Sequence, residues 1–374
     1  MPNNEHLKTA FGFEDNGQLI YTSCDFTNPE SQTTDYFNAI AIGDNAGGHS
    51  ANSIGNQQNN AIAIGYRAGY CDQGENSVAI GDAAGYNDQG NESVAIGDHA
   101  GWCDQGNESV AVGSGAGKTS QGNDSVAIGF QAGYTSQGND SVAIGNQAGY
   151  CDQGFDSVAI GNQAGYITQG NDSVAIGYQA GYRTQGDDSV AIGFQAGYKR
   201  QGNDSVAIGT QAGYITQGND SVAIGYRAGQ HNQGTKSVAI GDEAGYYNQC
   251  NDSVAIGSGA GRTSQGNDSV AIGYKAGNEN QGNDSVAIGY QANTGLKSIM
   301  INAGYSADSL IGNDSTIIIN TINDQFDQVG AAEASAFYVK PIHEYANHLS
   351  HDSTQTNMLV YCDVTHEICF YIKP

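Results

Sequence analysis

From Ser77 to Ser285 a serine opens fourteen consecutive units, each sixteen residues after the last and without an insertion. A period this short and strict calls for a solenoid in which every coil lies directly on the one before it. Sixteen residues leave no room for a buried helix beside a strand, so the coil is expected to be all β. Ser125-Val126-Ala127-Ile128-Gly129 alternates larger apolar with small residues, the period of a strand with Val and Ile on one face and Ser, Ala and Gly on the other. Gln137-Gly138-Asn139-Asp140 is a turn signal. Ala132-Gly133-Tyr134-Thr135-Ser136 is then expected to be a second, weaker strand, giving two strands and two turns per coil.

Some slots of the unit never change along the array. The serine, both alanines, the glycine after Ile and the glutamine seen at Gln73, Gln89, Gln105 and Gln137 are fixed, whereas the two residues after Ile-Gly vary widely, as in Phe130-Gln131, Asp98-His99 and Thr210-Gln211. With 38% hydrophobic residues and 54 glycines, a thick core is not expected. Glycine without a three-residue period, and only four prolines, excludes collagen. Val126, Ile128, Val142, Ile144, Val174, Ile176, Val190 and Ile192 stack into an apolar ladder that either fills the coil or forms a stripe needing a partner. Either arrangement leaves the small face open to close approach by another chain.

Thirteen basic against 39 acidic side chains give a net charge of -26, which opposes binding to nucleic acid or anionic lipid. The first residues lack a basic and an apolar signal region, and no apolar run is long enough for a membrane helix, so no membrane insertion is expected. Seven cysteines is an odd number, and Cys71, Cys103 and Cys151 occupy one slot in different units. Two coils apart means ~10 Å between Cys71 and Cys103, too far for a disulfide.

The repeated Ser-Val-Ala-Ile-Gly with its Gly, Ala and Ser or Asn turns resembles the head repeats of trimeric autotransporter adhesins, the YadA-like left-handed parallel β-roll, over roughly residues 39–292. The resemblance implies a homotrimer of three chains side by side, with the Ser-Val-Ala-Ile-Gly strands toward the threefold axis and the Ala-Gly-Tyr strands outside. The sixteen-residue step is slightly longer than the commonest step of that family, and the extra length is assigned to an outer loop. Such adhesins also carry a secretion signal, a coiled-coil stalk and a membrane anchor, none of which is read in this sequence, so the chain is not expected to be an autotransporter by itself.

Residues 1–38 lack the repeat and are read as an N-terminal β cap or attachment segment. The array spans 39–292, with entry coils at Ala39–Gly43 and Ala61–Gly65, and irregular closing coils fill 293–335. Residues 336–374, with Ala336–Ile342, Asn357–Asp363 and Glu367–Tyr371, read as a strand followed by a hairpin. That tail resembles fibre proteins of large DNA viruses and phages, in which such a segment stands just before a removable chaperone domain.

Several stretches imitate reactive sites. Val112–Thr119 resembles a phosphate-binding loop, but its first glycine is missing at the required spacing and no helix is expected to follow; Gly257–Ser264, with Arg262 in place of Lys118, shows the same accident. His343-Glu344-Tyr345-Ala346-Asn347-His348 is one residue too long for a zinc-protease motif, although His343, His348 and His351 from three chains remain candidate metal ligands. Asp124, Asp140, Asp156, Asp172, Asp188, Asp204 and Asp220 form a column read as turn caps, with a cation-binding edge as the alternative. Tyr134, Tyr150, Tyr166, Tyr182, Tyr198 and Tyr214 form an aromatic ladder that stabilises the coil or contacts sugars or proteins. Asn123-Asp124-Ser125 and its copies fit the N-glycosylation pattern, but the repeat itself generates them.

No nucleophile, acid–base pair or cofactor motif emerges, so an enzyme is not expected and no cofactor is assigned. The reading is a trimeric fibre or spike on a virion or extracellular surface, displayed for adhesion, whose partners are itself, a host receptor or glycan, and a virion or filament base protein. The alternatives are a soluble carbohydrate-binding or ice-binding solenoid, or an extracellular filament subunit. Ice binding lacks a Thr-x-Thr ladder, and a left-handed β-helix acyltransferase lacks both a hexapeptide repeat and a catalytic His in a cleft.

Overall fold

The computed structural model describes residues 20–21, 39–48, 57–302, 310–312, 315, 317–320, 337–340, 358–362 and 367–371. It is the all-β parallel solenoid that the period requires. In each coil a first strand such as Val126–Ile128 pairs in parallel and in register with its equivalents above and below, Val110–Val112 and Val142–Ile144. Each rung of the regular array from Val78 to Val286 therefore places Val on Val, Ala on Ala and an aliphatic residue on Ile. A second parallel ladder runs beside it, in which Thr135 pairs with Cys151 and Gln137 with Gln153. The second strand is Thr135–Gln137, so the expected Ala132–Ser136 strand is displaced. Ala132 and Gly133 instead belong to the turn, because Gln131 and Gly133 both adopt left-handed φ, 53° and 52°, and an extended backbone cannot pass through them.

The small face is the interior. Ala127, Ala132 and Ser125 are fully buried, and Gln137 keeps only 3% of its surface exposed. The open approach to the small face expected from the sequence does not exist, since the coil closes on that face. Gly133 lies so close to Ala127 that a methyl added to it would sit 3.2 Å from the Ala127 methyl. A coil this flat admits alanine, serine and one amide, and nothing larger.

The fixed glutamine spans this thin interior. Gln137 Nε2 donates to the carbonyls of Val126 at 2.9 Å and Ser141 at 3.2 Å, tying the second strand to the first. Its Oε1 is buried without a conventional donor. The oxygen lies against Gly133, where an added methyl would be 2.4 Å away, so the glycine Cα–H groups face it and supply a weak contact. Ser141 Oγ donates to the Gly138 carbonyl at 2.6 Å and so uses its hydroxyl inside the turn. Gly145 is required twice over: its φ is 134°, and a Cβ would sit 2.5 Å from the carbonyl oxygen of Gly161 in the next coil.

At the start of the array Ile40–Ile42 pairs with Ile62–Ile64 in parallel, and Ile20–Tyr21 pairs antiparallel with Ala41 and Ile42. At the other end the first ladder continues through Ile299–Asn302, Ile317–Asn320 and Phe337–Lys340, with unequal numbers of residues between rungs. There the buried alanine column passes from Ala287 to Met300, which is fully buried with Ile318 packed against this core, so these coils are wider inside than the regular ones. Met358–Cys362 and Glu367–Tyr371 form the antiparallel hairpin expected of the tail.

Candidate interaction surfaces

Closing the coil on its small residues puts Val and Ile outside. The valines are half-buried, and Ile128, Ile144 and Ile160 expose 38%, 37% and 36% of their surface. Of the two arrangements open in the sequence, the chain adopts the second: Val126, Ile128, Val142, Ile144, Val174, Ile176, Val190 and Ile192 form an outward apolar stripe. Beside it, just past the fixed glycine, Phe130, Tyr178, Phe194, Tyr226 and Tyr274 are exposed, with Tyr178 and Phe194 stacked at 5.3 Å. This slot varies along the array, yet it carries an aromatic residue in Phe130, Tyr178, Phe194, Tyr226 and Tyr274.

The next slot, also read as freely variable, carries a ladder of its own. Gln147 donates to Gln131 at 3.0 Å, Gln163 to Gln147 at 3.0 Å, Gln179 to Gln163 at 2.9 Å, Gln195 to Gln179 at 2.9 Å and Gln211 to Gln195 at 3.1 Å. A methyl at Gly115, one coil below, would touch both Tyr134 and Gln131, so the amide chain adjoins the tyrosine ladder.

The expected ladder of Tyr134, Tyr150, Tyr166, Tyr182, Tyr198 and Tyr214 is present, with ring centroids 4.9–5.0 Å apart and nearly parallel planes. That spacing is the rise of the coil. The column extends below through Tyr70, Tyr86 and Trp102, and Lys118 fills the gap. Lys118 Nζ lies 5.6 Å from the Trp102 ring centroid and 5.1 Å from that of Tyr134, and donates to Tyr134 Oη at 3.1 Å. The imitation phosphate loop thus has no helix, and its lysine is a cationic rung between two rings. Arg262 acts likewise, 5.4 Å from the Tyr246 ring, and Glu243 holds it at 2.9 Å. Because each ring covers the next, the tyrosine faces are occupied, and what the column offers a partner is ring edges and hydroxyls. Burial, and then neighbouring phenols, push the hydroxyls of Tyr150, Tyr166 and Tyr198 above the ordinary range.

The aspartate column occupies the left-handed turn position, with φ of 53° at Asp124 and 55° at Asp140. The turn is held by the residue before it: the backbone N–H of Asn107 donates to Asn123 Oδ1 at 2.8 Å, and that of Asn123 to Asn139 Oδ1 at 2.9 Å. The capping role expected of Asp124 and its equivalents thus belongs to the asparagines, whose side chains lean back to the coil before. Among the described residues no three His, Cys, Asp or Glu side chains converge as metal ligands. Cys71, Cys103, Cys151 and Cys250 are free, half-buried thiols, and burial followed by the Asp152 charge raises the Cys151 pKa. His343, His348 and His351 lie outside the described residues.

A rod of in-register parallel coils, filled by small residues and carrying one side-chain ladder per slot, defines a β-solenoid repeat protein. The family model described as the YadA head domain repeat matches residues 120–148, 153–180, 201–228 and 281–294, about a quarter of the chain, and the array carries YadA-like head repeats. No curated protein and no solved structure matches the chain. No helix among the described residues is long and apolar enough to cross a membrane.

Proposed function

We propose that three copies of the chain pack side by side through their Val and Ile ladders into a β-roll shaft, and that this shaft is a surface fibre for display and attachment. The observation that carries the reading is the outward, continuous apolar stripe on a chain of net charge -26. Exposed aliphatic columns of this length are covered by another surface in stable soluble proteins. Parallel shafts in register would also cover the flanking rings of Phe130, Tyr178 and Phe194. The matched head repeats favour a structural rather than an enzymatic role and exposure at a surface. On this reading the second strands and the tyrosine column face outward, toward a host receptor or glycan, and a base protein on a virion or filament holds one end.

Light scattering of the full chain tests the assembly. A particle of three times 38.8 kDa is expected, and the Ile176→Asp, Ile192→Asp double variant is expected to sediment as a soluble monomer, because both side chains lie outside the coil. A monomeric unaltered chain, or a trimer that survives both substitutions, would overturn the proposal.

A further inference from the structure

Four consecutive coils depart from the rest in backbone, and the middle two also carry three cations. The middle residue of the second strand is left-handed along the array, at Asp72, Asp88, Asp104, Ser120, Ser136 and Asp152, and again at Asn232, Asn248 and Ser264. Between them stand Thr168, Thr184, Arg200 and Thr216, none of which adopts positive φ. Threonine is β-branched and does not tolerate that conformation, and Arg200 follows the threonine rungs on either side of it. Here the middle residues enter the ladder directly: Thr168 N–H donates to the Arg183 carbonyl at 2.9 Å, Thr184 N–H to that of Lys199 at 3.0 Å, and Arg200 N–H to that of Ile215 at 3.2 Å. Over this stretch the second strand shortens to two residues, as in Thr168–Gln169 and Arg200–Gln201, and a bend precedes it.

The same coils hold Arg183, Lys199 and Arg200, three of the thirteen basic residues of the chain, on adjacent rungs. Arg183 and Arg200 are exposed and Lys199 is half-exposed. The ion pairs among the described residues involve Asp98, His99, Arg227, Glu243 and Arg262, and none involves these three cations. Arg200 Nη2 donates to Thr216 Oγ1 at 3.2 Å, which aligns its guanidinium along the hydroxyl column. The column of Arg200 holds carboxylates or left-handed Ser and Asn elsewhere, and the neighbouring column of Arg183 and Lys199 holds no other Lys or Arg from Cys71 to Thr263, so the three cations form a local cationic window.

We propose that the face formed by Thr168, Arg183, Thr184, Lys199, Arg200 and Thr216 binds a terminal sugar carrying a single carboxylate or sulfate. The proposal rests on the attachment reading above and names its ligand class. Two guanidinium groups and an ammonium, carried on two rungs whose backbones are ~5 Å apart, supply the charge to neutralise one anionic group, and the threonine hydroxyls supply donors and acceptors for the ring hydroxyls around it. A long polyanion laid along the rod leaves the window within a few rungs. Toward the start of the array it then meets Asp152 and Asp156 and is repelled, whereas the coil above, residues 221–236, carries Arg227 and Lys236 and no carboxylate. The window is thus better matched to a short anionic group than to a polymer running toward the start of the array.

Saturation-transfer NMR and calorimetric titration of the full chain with 3′-sialyllactose and 3′-sulfolactose test this, with lactose as the neutral control and heparin as the long polyanion. At least one acidic trisaccharide or sulfated disaccharide is expected to bind at about millimolar affinity or better while lactose does not. The arm that binds tells carboxylate from sulfate. Replacing all three cations, Arg183→Gln, Lys199→Gln and Arg200→Gln, is expected to weaken binding at least tenfold without shifting the unfolding midpoint. Equal binding of lactose, equal binding by the triple variant, binding of heparin alone, or no binding of either acidic probe would each overturn the proposal. If the unaltered chain attaches to cells and the triple variant attaches equally, this inference fails and attachment stands; if sugar binds but the chain attaches to no surface, the attachment reading fails.

Discussion

Gln185 offers the sharpest test of how this rod is held together. Its amide is 1% exposed, and Nε2 donates to the carbonyls of Val174 at 2.8 Å and Ser189 at 3.1 Å, while Oε1 is buried against Gly181. Gln185→Glu keeps the shape and removes the NH2. A protonated carboxyl can still donate one hydrogen bond to Val174, but an ionised one sets negative oxygens against two carbonyl acceptors in a dry interior. Burial of this kind raises a carboxyl pKa by several units from about 4.3. If the folded value stays above ~7, keeping the group protonated at pH ~7 costs about 3–4 kcal/mol, at 1.36 kcal/mol per unit. Because the folded pKa is the raised one, stability is close to that of the unaltered protein below about pH 4 and is lost as pH rises toward the folded value. The assay is the guanidinium midpoint of variant minus unaltered protein at about pH 4 and about pH 8, which removes the general effect of acid on a highly charged rod. Native-state hydrogen exchange should place the loss in the coils around Gln185, since stability in a stacked array is close to nearest-neighbour. A difference that is the same at both pH values would mean that water reaches the glutamine column, and the account of the interior would fall.

Two further outcomes follow from the ladders. Ultraviolet titration should show Tyr150, Tyr166 and Tyr198 ionising above the ordinary phenol range, with the stability that their neutral forms provide lost as pH rises through that range; a single unshifted phenol transition would refute the stacked column. Gly145→Ala should break the array between adjacent coils, because its methyl would lie 2.5 Å from the Gly161 oxygen at a φ of 134°; circular dichroism and melting unchanged from the parent would refute the register.

Much of this protein can be read in its sequence because the repeat performs an internal comparison. Slots that never change mark where there is no room: Gly145 against Gly161 of the next coil, and, within one coil, Ala127 against Gly133 and Gln137 across the interior. The tyrosine column needed only counting in steps of sixteen. The Gln131 to Gln211 ladder was equally countable, but its slot also holds Ala83, His99, Gly115, Glu243 and Lys275 in other coils and so reads as variable. The switch to threonine at Thr168, Thr184 and Thr216 was visible too, yet its consequence for the backbone depends on φ at a single residue, which the letters do not carry.

The sequence by itself determined the coil length, the parallel register, the all-β class and the two faces of the Ser-Val-Ala-Ile-Gly strand. Only the tertiary structure decided which face is inside. Alternation at a period of two is symmetric between inside and outside, and the usual preference for burying Val and Ile points the wrong way here. The turns settle it: left-handed Gln131, Gly133 and Asp140 bring the two strands so close that alanine, serine and one glutamine amide fill the gap. The larger aliphatic side chains are left on the outer surface, where they become the part of the molecule that needs a partner.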